Sequence, residues 1–153
     1  MNALTPNEKS ALDYYNHKAA EFVSGTVAAE FTKMQDTFLQ YVPAGGKILD
    51  FGCGSGRDTK YFLSRGYVVE AIDGSIELCK IASAYTGIEV KKMLFQELNS
   101  VEEYDGIWAC ASILHVAKQE LPAIIQKMAD AVKRNGIVYM SFKYGKFEGE
   151  KKR

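Results

Sequence analysis

The chain has 153 residues, the usual size of one domain with a hydrophobic core of its own. Nineteen basic and nineteen acidic side chains leave no formal net charge, which argues against a bulk attraction to nucleic acid or to an acidic membrane. No apolar run reaches the length of a membrane-spanning helix, and the polar start, with Glu8 and Lys9, does not read as a signal peptide.

The three cysteines, Cys53, Cys79 and Cys110, are far apart and form no CxxC pair. An odd number at such spacing speaks against a disulfide framework and against a zinc site, so no metal is expected. Free buried thiols in a reducing cytoplasm are the simplest reading.

Thr5-Pro6-Asn7-Glu8 forms a capping box and predicts a helix over residues 6–20. Val27, Phe31, Met34 and Phe38 recur at helical spacing and predict a second helix over 26–41, ended by Pro43 and Gly45-Gly46. Short strands and helices then alternate. A strand over 47–51 precedes a helix over 56–65, which Gly66 closes. The apolar run over 67–72 reads as a central strand. A helix over 75–84 follows, with Ser75 as its N-cap and Glu77 placed well for the helix dipole. Strands are predicted over 88–93 and 104–111, then a long helix over 118–134. Leu121, Ile124, Ile125, Met128 and Val132 share one face of that helix, and Asn135-Gly136 would stop it. The fifth strand covers 137–142, and the charged stretch 143–153 reads as a frayed tail.

Strands alternating with helices imply parallel strands joined by right-handed crossovers. The expected architecture is a single α/β domain over 1–153. It is a Rossmann-like open parallel sheet in the order 3-2-1-4-5, with helices on both faces and helices at the N-terminus. A ligand then belongs at the carboxyl ends of strands one and four, where the strand order reverses.

The chemistry is concentrated in Ile48-Leu49-Asp50-Phe51-Gly52-Cys53-Gly54-Ser55-Gly56. An apolar strand ends in an acid and runs into a glycine-rich turn that leads to a helix. Glycines there permit a tight turn and close approach of a ligand to the backbone. The bare G-x-G-x-G spacing occurs in several nucleotide-binding classes. Two acids narrow it. Asp50, just before the turn, would repel a pyrophosphate and suits an ammonium. Asp73, at the end of the second strand, is placed to accept two hydrogen bonds from the vicinal hydroxyls of a ribose. Together they describe an adenosine-bearing ligand that is not a dinucleotide. A nicotinamide-dependent oxidoreductase would place a third glycine at position 57, where Arg57 stands.

The stretches ILDFGCGSGRDT and AIDGS resemble the first and second motifs of the class I S-adenosylmethionine-dependent methyltransferases. The segment from Met93 to Leu98 falls where that family meets the adenine, and Tyr104 to Val116 is similar to its fourth-strand motif. The likeness covers most of the chain, from Tyr14 to about Tyr144. Within the family, the GSGRDT and ASILHV wording is similar to the tellurite-resistance and related small-substrate branch.

The resemblance implies roles residue by residue. Gly52, Cys53, Gly54 and Gly56 form the cofactor loop, and Asp50 and Arg57 organise the methionine end. Asp73 holds the ribose hydroxyls, with Gly74 beside the adenosine. Phe95 and Gln96 flank the adenine, Ala111 touches the cofactor from the fourth strand, and Tyr15 closes over it. On the acceptor side stand Tyr14 and His115, the latter the one titratable group near the end of the fourth strand. The implied cofactor is S-adenosylmethionine and the implied partner a small-molecule methyl acceptor. An activated sulfonium asks mainly for alignment of the acceptor, so no catalytic residue is required. The family's usual two further strands have no counterpart after the fifth, which leaves a non-catalytic or truncated S-adenosylmethionine-binding module as the alternative. A bare fifth-strand edge would be open to pairing with a second copy as a homodimer. Ala109-Cys110-Ala111-Ser112 stands where amino-methylating members carry an Asn-Pro-Pro-Tyr-like segment, so a nucleic-acid substrate is not expected.

Overall fold

A computed structural model describes residues 25–110 and 116–141, with side chains from residue 32 onward. The predicted first helix with Tyr14 and Tyr15, the positions Ala111 and His115, and the charged tail all lie outside the described residues.

Helix α1 (Gly25–Leu39) presents Gln35, Phe38, Leu39 and then Val42 to the interior, the one-sided spacing of an amphipathic helix. β1 (Lys47–Phe51) is buried at four consecutive positions, as expected of a parallel strand covered on both faces. The chain continues through α2 (Arg57–Ser64), β2 (Val68–Asp73) and α3 (Ile76–Thr86), then β3 (Lys91–Lys92) and β4 (Tyr104–Cys110). It closes with α4 (Leu121–Ala131) and β5 (Val132–Ser141). The five strands are all parallel, in the order β3-β2-β1-β4-β5. This is the predicted order, with its reversal between β1 and β4.

Alternation along the strands sorts the core into two layers. Ile48, Val69 and Trp108 meet Phe38 of α1 and Phe62 of α2 on one face, and Ala71 meets Cys79 and Ala82 of α3 on that same face. Leu49, Phe51, Ile72 and Ile107 meet Ile124 and Met128 of α4 on the other. Trp108 is fully buried, stacked on Tyr139 at 4.2 Å and edge-on to Phe38 and Phe62. Burying each such ring contributes about 1.5–3 kcal/mol. Gly106 lets α1 approach β4, since a Cβ there would lie 2.7 Å from Phe38 Cζ.

Two elements differ from the sequence reading. The strand expected over 88–93 is paired only at Lys91–Lys92. The amides of Ile88 and Val90 instead donate to the hydroxyls of Thr86 (3.3 Å) and Ser83 (2.9 Å) at the end of α3. The helix expected over 118–134 is a 3₁₀ turn (Lys118–Glu120) followed by α4, and β5 begins directly at Val132. The carbonyls of Asp130 and Ala131 accept the Glu102 and Glu103 amides, which fixes the helix end there. Asn135-Gly136 is not a helix stop but part of a bulge, where the β4–β5 register shifts between Tyr104 and Gly106. Gly136 fits because a Cβ would sit 2.8 Å from the Asp105 carbonyl oxygen and 2.5 Å from Val132.

Candidate functional site

The loop after β1 is anchored from below by backbone bonds. The amides of Gly52 and Cys53 both donate to the Ile72 carbonyl, at 3.0 and 2.9 Å, and the Gly56 amide closes the turn on the Cys53 carbonyl at 3.1 Å. Gly52, Gly54 and Gly56 all have positive φ, at +89°, +58° and +96°, the left-handed region that favours glycine. A Cβ on Gly54 would meet nothing within 4 Å, whereas one on Gly56 would lie 2.9 Å from the Thr86 methyl of α3. Gly56 is therefore a packing glycine, and Gly54 turns a bare backbone toward open space.

Asp73 ends β2 directly beside this loop. Its Oδ1 accepts the Gly54 amide at 3.1 Å and its Oδ2 accepts the Ser75 amide at 3.0 Å. Only 6% of its surface is exposed. Burial pushes its carboxyl up to about 6, against the two amides that favour the charged form. Gly74 lies half-buried between the two donors' segments. Ser75 also caps α3 by accepting the Leu78 amide.

Asp50 faces the helix layer formed by α1, α2 and α3. It is 1% exposed and accepts the Thr59 hydroxyl at 2.6 Å. Burial holds its carboxyl well above the ordinary range, and the nearby Asp58 carboxylate adds to this. Asp58 itself receives four donors. Gln35 Nε2 and Arg57 Nε reach Oδ1 at 2.5 and 3.1 Å, while Trp108 Nε1 and Arg57 Nη2 reach Oδ2 at 2.8 and 3.0 Å. Sequence reading gave no role to Gln35, Asp58, Thr59 or Trp108. An acid in the first turn of a helix is ordinary dipole chemistry, and nothing local shows that its partners come from α1 and β4.

Past β3 the Met93 amide donates to the Asp73 carbonyl at 3.0 Å, so residues 93–96 lead away from Asp73. The Phe95 ring lies 4.6 Å from that of Phe51, on the opposite sheet face from Asp50. Gln96 Nε2 donates to Glu120 at 2.7 Å, tying this segment to the turn before α4. The fold thus brings Gly52, Cys53, Gly54, Asp73 and Gly74 together. It gathers Asp50, Arg57, Asp58 and Thr59 beside them and places Phe95 and Gln96 across the sheet. Cys53 is buried and burial pushes its thiol far up, which removes the case for a reactive cysteine in the loop. Among the described residues no cluster of three metal-ligating side chains occurs, and no helix is long and apolar enough to cross a membrane. A cavity of about 480 Å³ between β2, β3 and the segment before β4 touches none of these residues.

A family model described as a methyltransferase domain matches residues 48–136, from β1 to the β5 bulge. The chain belongs to this methyltransferase family. It is 30% identical over 116 residues to a ubiquinone biosynthesis O-methyltransferase of Xanthomonas axonopodis pv. citri, a match covering 67% of this chain and 47% of the relative. The chain thus spans about half the length of that relative. A solved protein of Pyrococcus horikoshii OT3 superposes with a TM-score of 0.72 at 20% identity, covering 84% of this chain and 62% of that one. Magnesium protoporphyrin IX methyltransferase from Synechocystis PCC 6803, solved with bound S-adenosylmethionine, gives a TM-score of 0.62 at 18% identity over 86% of this chain and 74% of that one. At these identities the two structures share its fold.

Proposed function

We propose that the chain binds S-adenosylmethionine across the carboxyl ends of β1 and β2 and transfers its methyl group to a small-molecule acceptor. The observation that carries this reading is the Asp73–Gly54 bridge. One buried carboxylate fixes an open, left-handed glycine loop and keeps two oxygens at the strand ends. Each oxygen already accepts one amide and retains lone-pair capacity for a ribose hydroxyl.

The residues present fit the group. Gly54 leaves room for a ligand against the backbone, Asp73 suits vicinal hydroxyls, and Asp50 suits the ammonium of an amino-acid end. Phe95 and Gln96 flank the adenine, and Gly74 lies beside the adenosine. Tyr15 and Ala111 complete the cofactor side of the proposal, and Tyr14 and His115 its acceptor side. The cofactor supplies a methyl group already activated on a sulfonium. The protein's work is to align the acceptor and exclude water, with a general base needed only for an acceptor that must lose a proton.

The curated relative's name supports an oxygen acceptor on a small molecule over the tellurite-resistance branch. Zero net charge supports a small acceptor over nucleic acid. Three free cysteines support a reducing, cytoplasmic setting. The test is release of S-adenosylhomocysteine from S-adenosylmethionine in a screen of phenolic, carboxylic and amine acceptors. Product above the acceptor-free rate supports transfer. The chain spans 47% of its relative, so binding without turnover is the second reading. Tight binding with no product for any acceptor favours it.

A further inference from the structure

Four donors converge on one buried carboxylate at the edge of the candidate site, and the proposed function leaves that convergence unexplained. Asp58 is 5% exposed. Gln35 donates to it from α1, Trp108 from β4, and Arg57 in a two-pronged fork. With two donors on each oxygen the carboxylate is saturated. Trp108 cannot yield, because it is packed between Tyr139, Phe38 and Phe62. The carboxylate is therefore a fixed point, and a bidentate Arg–carboxylate pair fixes the plane of the guanidinium as well as its position.

That plane matters because of what lies next to it. The Arg57 side chain is 24% exposed, and Asp50 lies in the same layer: it is the register partner of Trp108, which donates to Asp58, and it accepts the hydroxyl of Thr59, the residue after Asp58. A carboxyl and a guanidinium thus share one layer at the strand ends, where the order reverses. These are the groups that would answer the ammonium and the carboxylate of an α-amino acid.

We propose that Asp58 is a positioning residue, which holds the Arg57 guanidinium in a fixed plane and aims it at the carboxylate of the cofactor's amino-acid group. Through Gln35 it ties that aim to the seating of α1. The inference rests on the reading that the amino-acid end of the cofactor lies beside Asp50.

The test compares two ligands on the full chain. S-adenosylhomocysteine carries the amino-acid group, and 5′-methylthioadenosine keeps the adenosine and the thioether without it. Asp58→Asn turns one oxygen into a donor facing donors, and Arg57→Gln removes the charge. Each is expected to weaken S-adenosylhomocysteine by about ten-fold and to leave 5′-methylthioadenosine within about two-fold. The double variant is expected to be no weaker than the worse single one. Equal losses for both ligands mean that Asp58 only supports the fold, and an unchanged affinity for S-adenosylhomocysteine means that Arg57 is not aimed at it. Either result overturns the proposal. If Asp58→Asn does not fold, Gln35→Met, which removes one donor, is expected to give about three-fold loss with the same ligand selectivity, and no selective loss there overturns the proposal too. Asp73→Ala separates the two claims. If it weakens both ligands, the cofactor site stands whatever Asp58 does. If the unaltered chain binds neither ligand, the cofactor reading fails and this inference fails with it.

Discussion

Asp73 Oδ1 accepts the Gly54 amide at 3.1 Å across nineteen residues of chain, so the acid that ends β2 also sets the shape of the loop that follows β1. The Ser75 amide on its other oxygen joins the start of α3 to the same point. A loop fixed in advance lowers the ordering cost of the binding proposed there. Asp73→Ala is expected to speed hydrogen exchange at the Gly54 and Ser75 amides by about ten-fold or more. The Gly52 and Cys53 amides, which donate to Ile72 instead, should keep their protection. Exchange read by NMR checks both halves of this expectation.

Binding should depend on pH through the same group. Burial raises the Asp73 carboxyl from 3.8 to about 6. A raised carboxyl stabilises the fold fully below its unfolded value, and that contribution is lost as pH rises through about 6. Affinity for a ribose runs the other way, because the ionised form is the better double acceptor. Titrations with S-adenosylmethionine are expected to weaken as pH falls from 7.5 toward 5, by up to about ten-fold per unit below the carboxyl's value. Asp73→Asn should flatten that dependence.

Gly54 and Gly56 should fail in different ways. Gly56→Ala combines a φ of +96° with a Cβ 2.9 Å from Thr86 and 3.1 Å from Ala82, so stability should drop by about 2–4 kcal/mol. Gly54→Ala has open space for its methyl at a φ of +58° and should cost only about 1–2 kcal/mol, yet it places that methyl on the face proposed for the ligand. Thermal melts and ligand titration of both variants separate packing from binding.

The thiols should be quiet. Burial pushes Cys79 and Cys110 up to about 11, and Cys53 further. Alkylation at pH 8 followed by mass spectrometry is expected to leave Cys53 and Cys79 unmodified in the folded chain, with all three labelled after denaturation. Rapid labelling of native Cys53 would contradict the closed loop described above.

What could be read in advance follows the range of each interaction. The path from Asp50 to Gly56 was legible because it is written in consecutive residues, and the strand order followed from the alternation of strands and helices, which leaves few parallel arrangements. Legible too was Asp73, which stands at a strand end before a cap. Asp58 was not, because Gln35 lies 23 residues away and Trp108 lies 50, and no spacing announces such a meeting. Ile88 to Val90 carry a strand-like alternation, yet hydroxyls of α3 take two of their amides. Asn135-Gly136 has the wording of a helix stop, and only the β4–β5 register shift reveals a bulge.

The β1 loop and Asp73 are proposed to form a site for S-adenosylmethionine. Isothermal titration of the full chain with S-adenosylmethionine and S-adenosylhomocysteine, beside Asp73→Ala, tests it most directly. The account predicts saturable binding of both, weakened by the substitution by about ten-fold or more. A folded chain that binds neither ligand, or that binds them equally well without the Asp73 carboxylate, would contradict it.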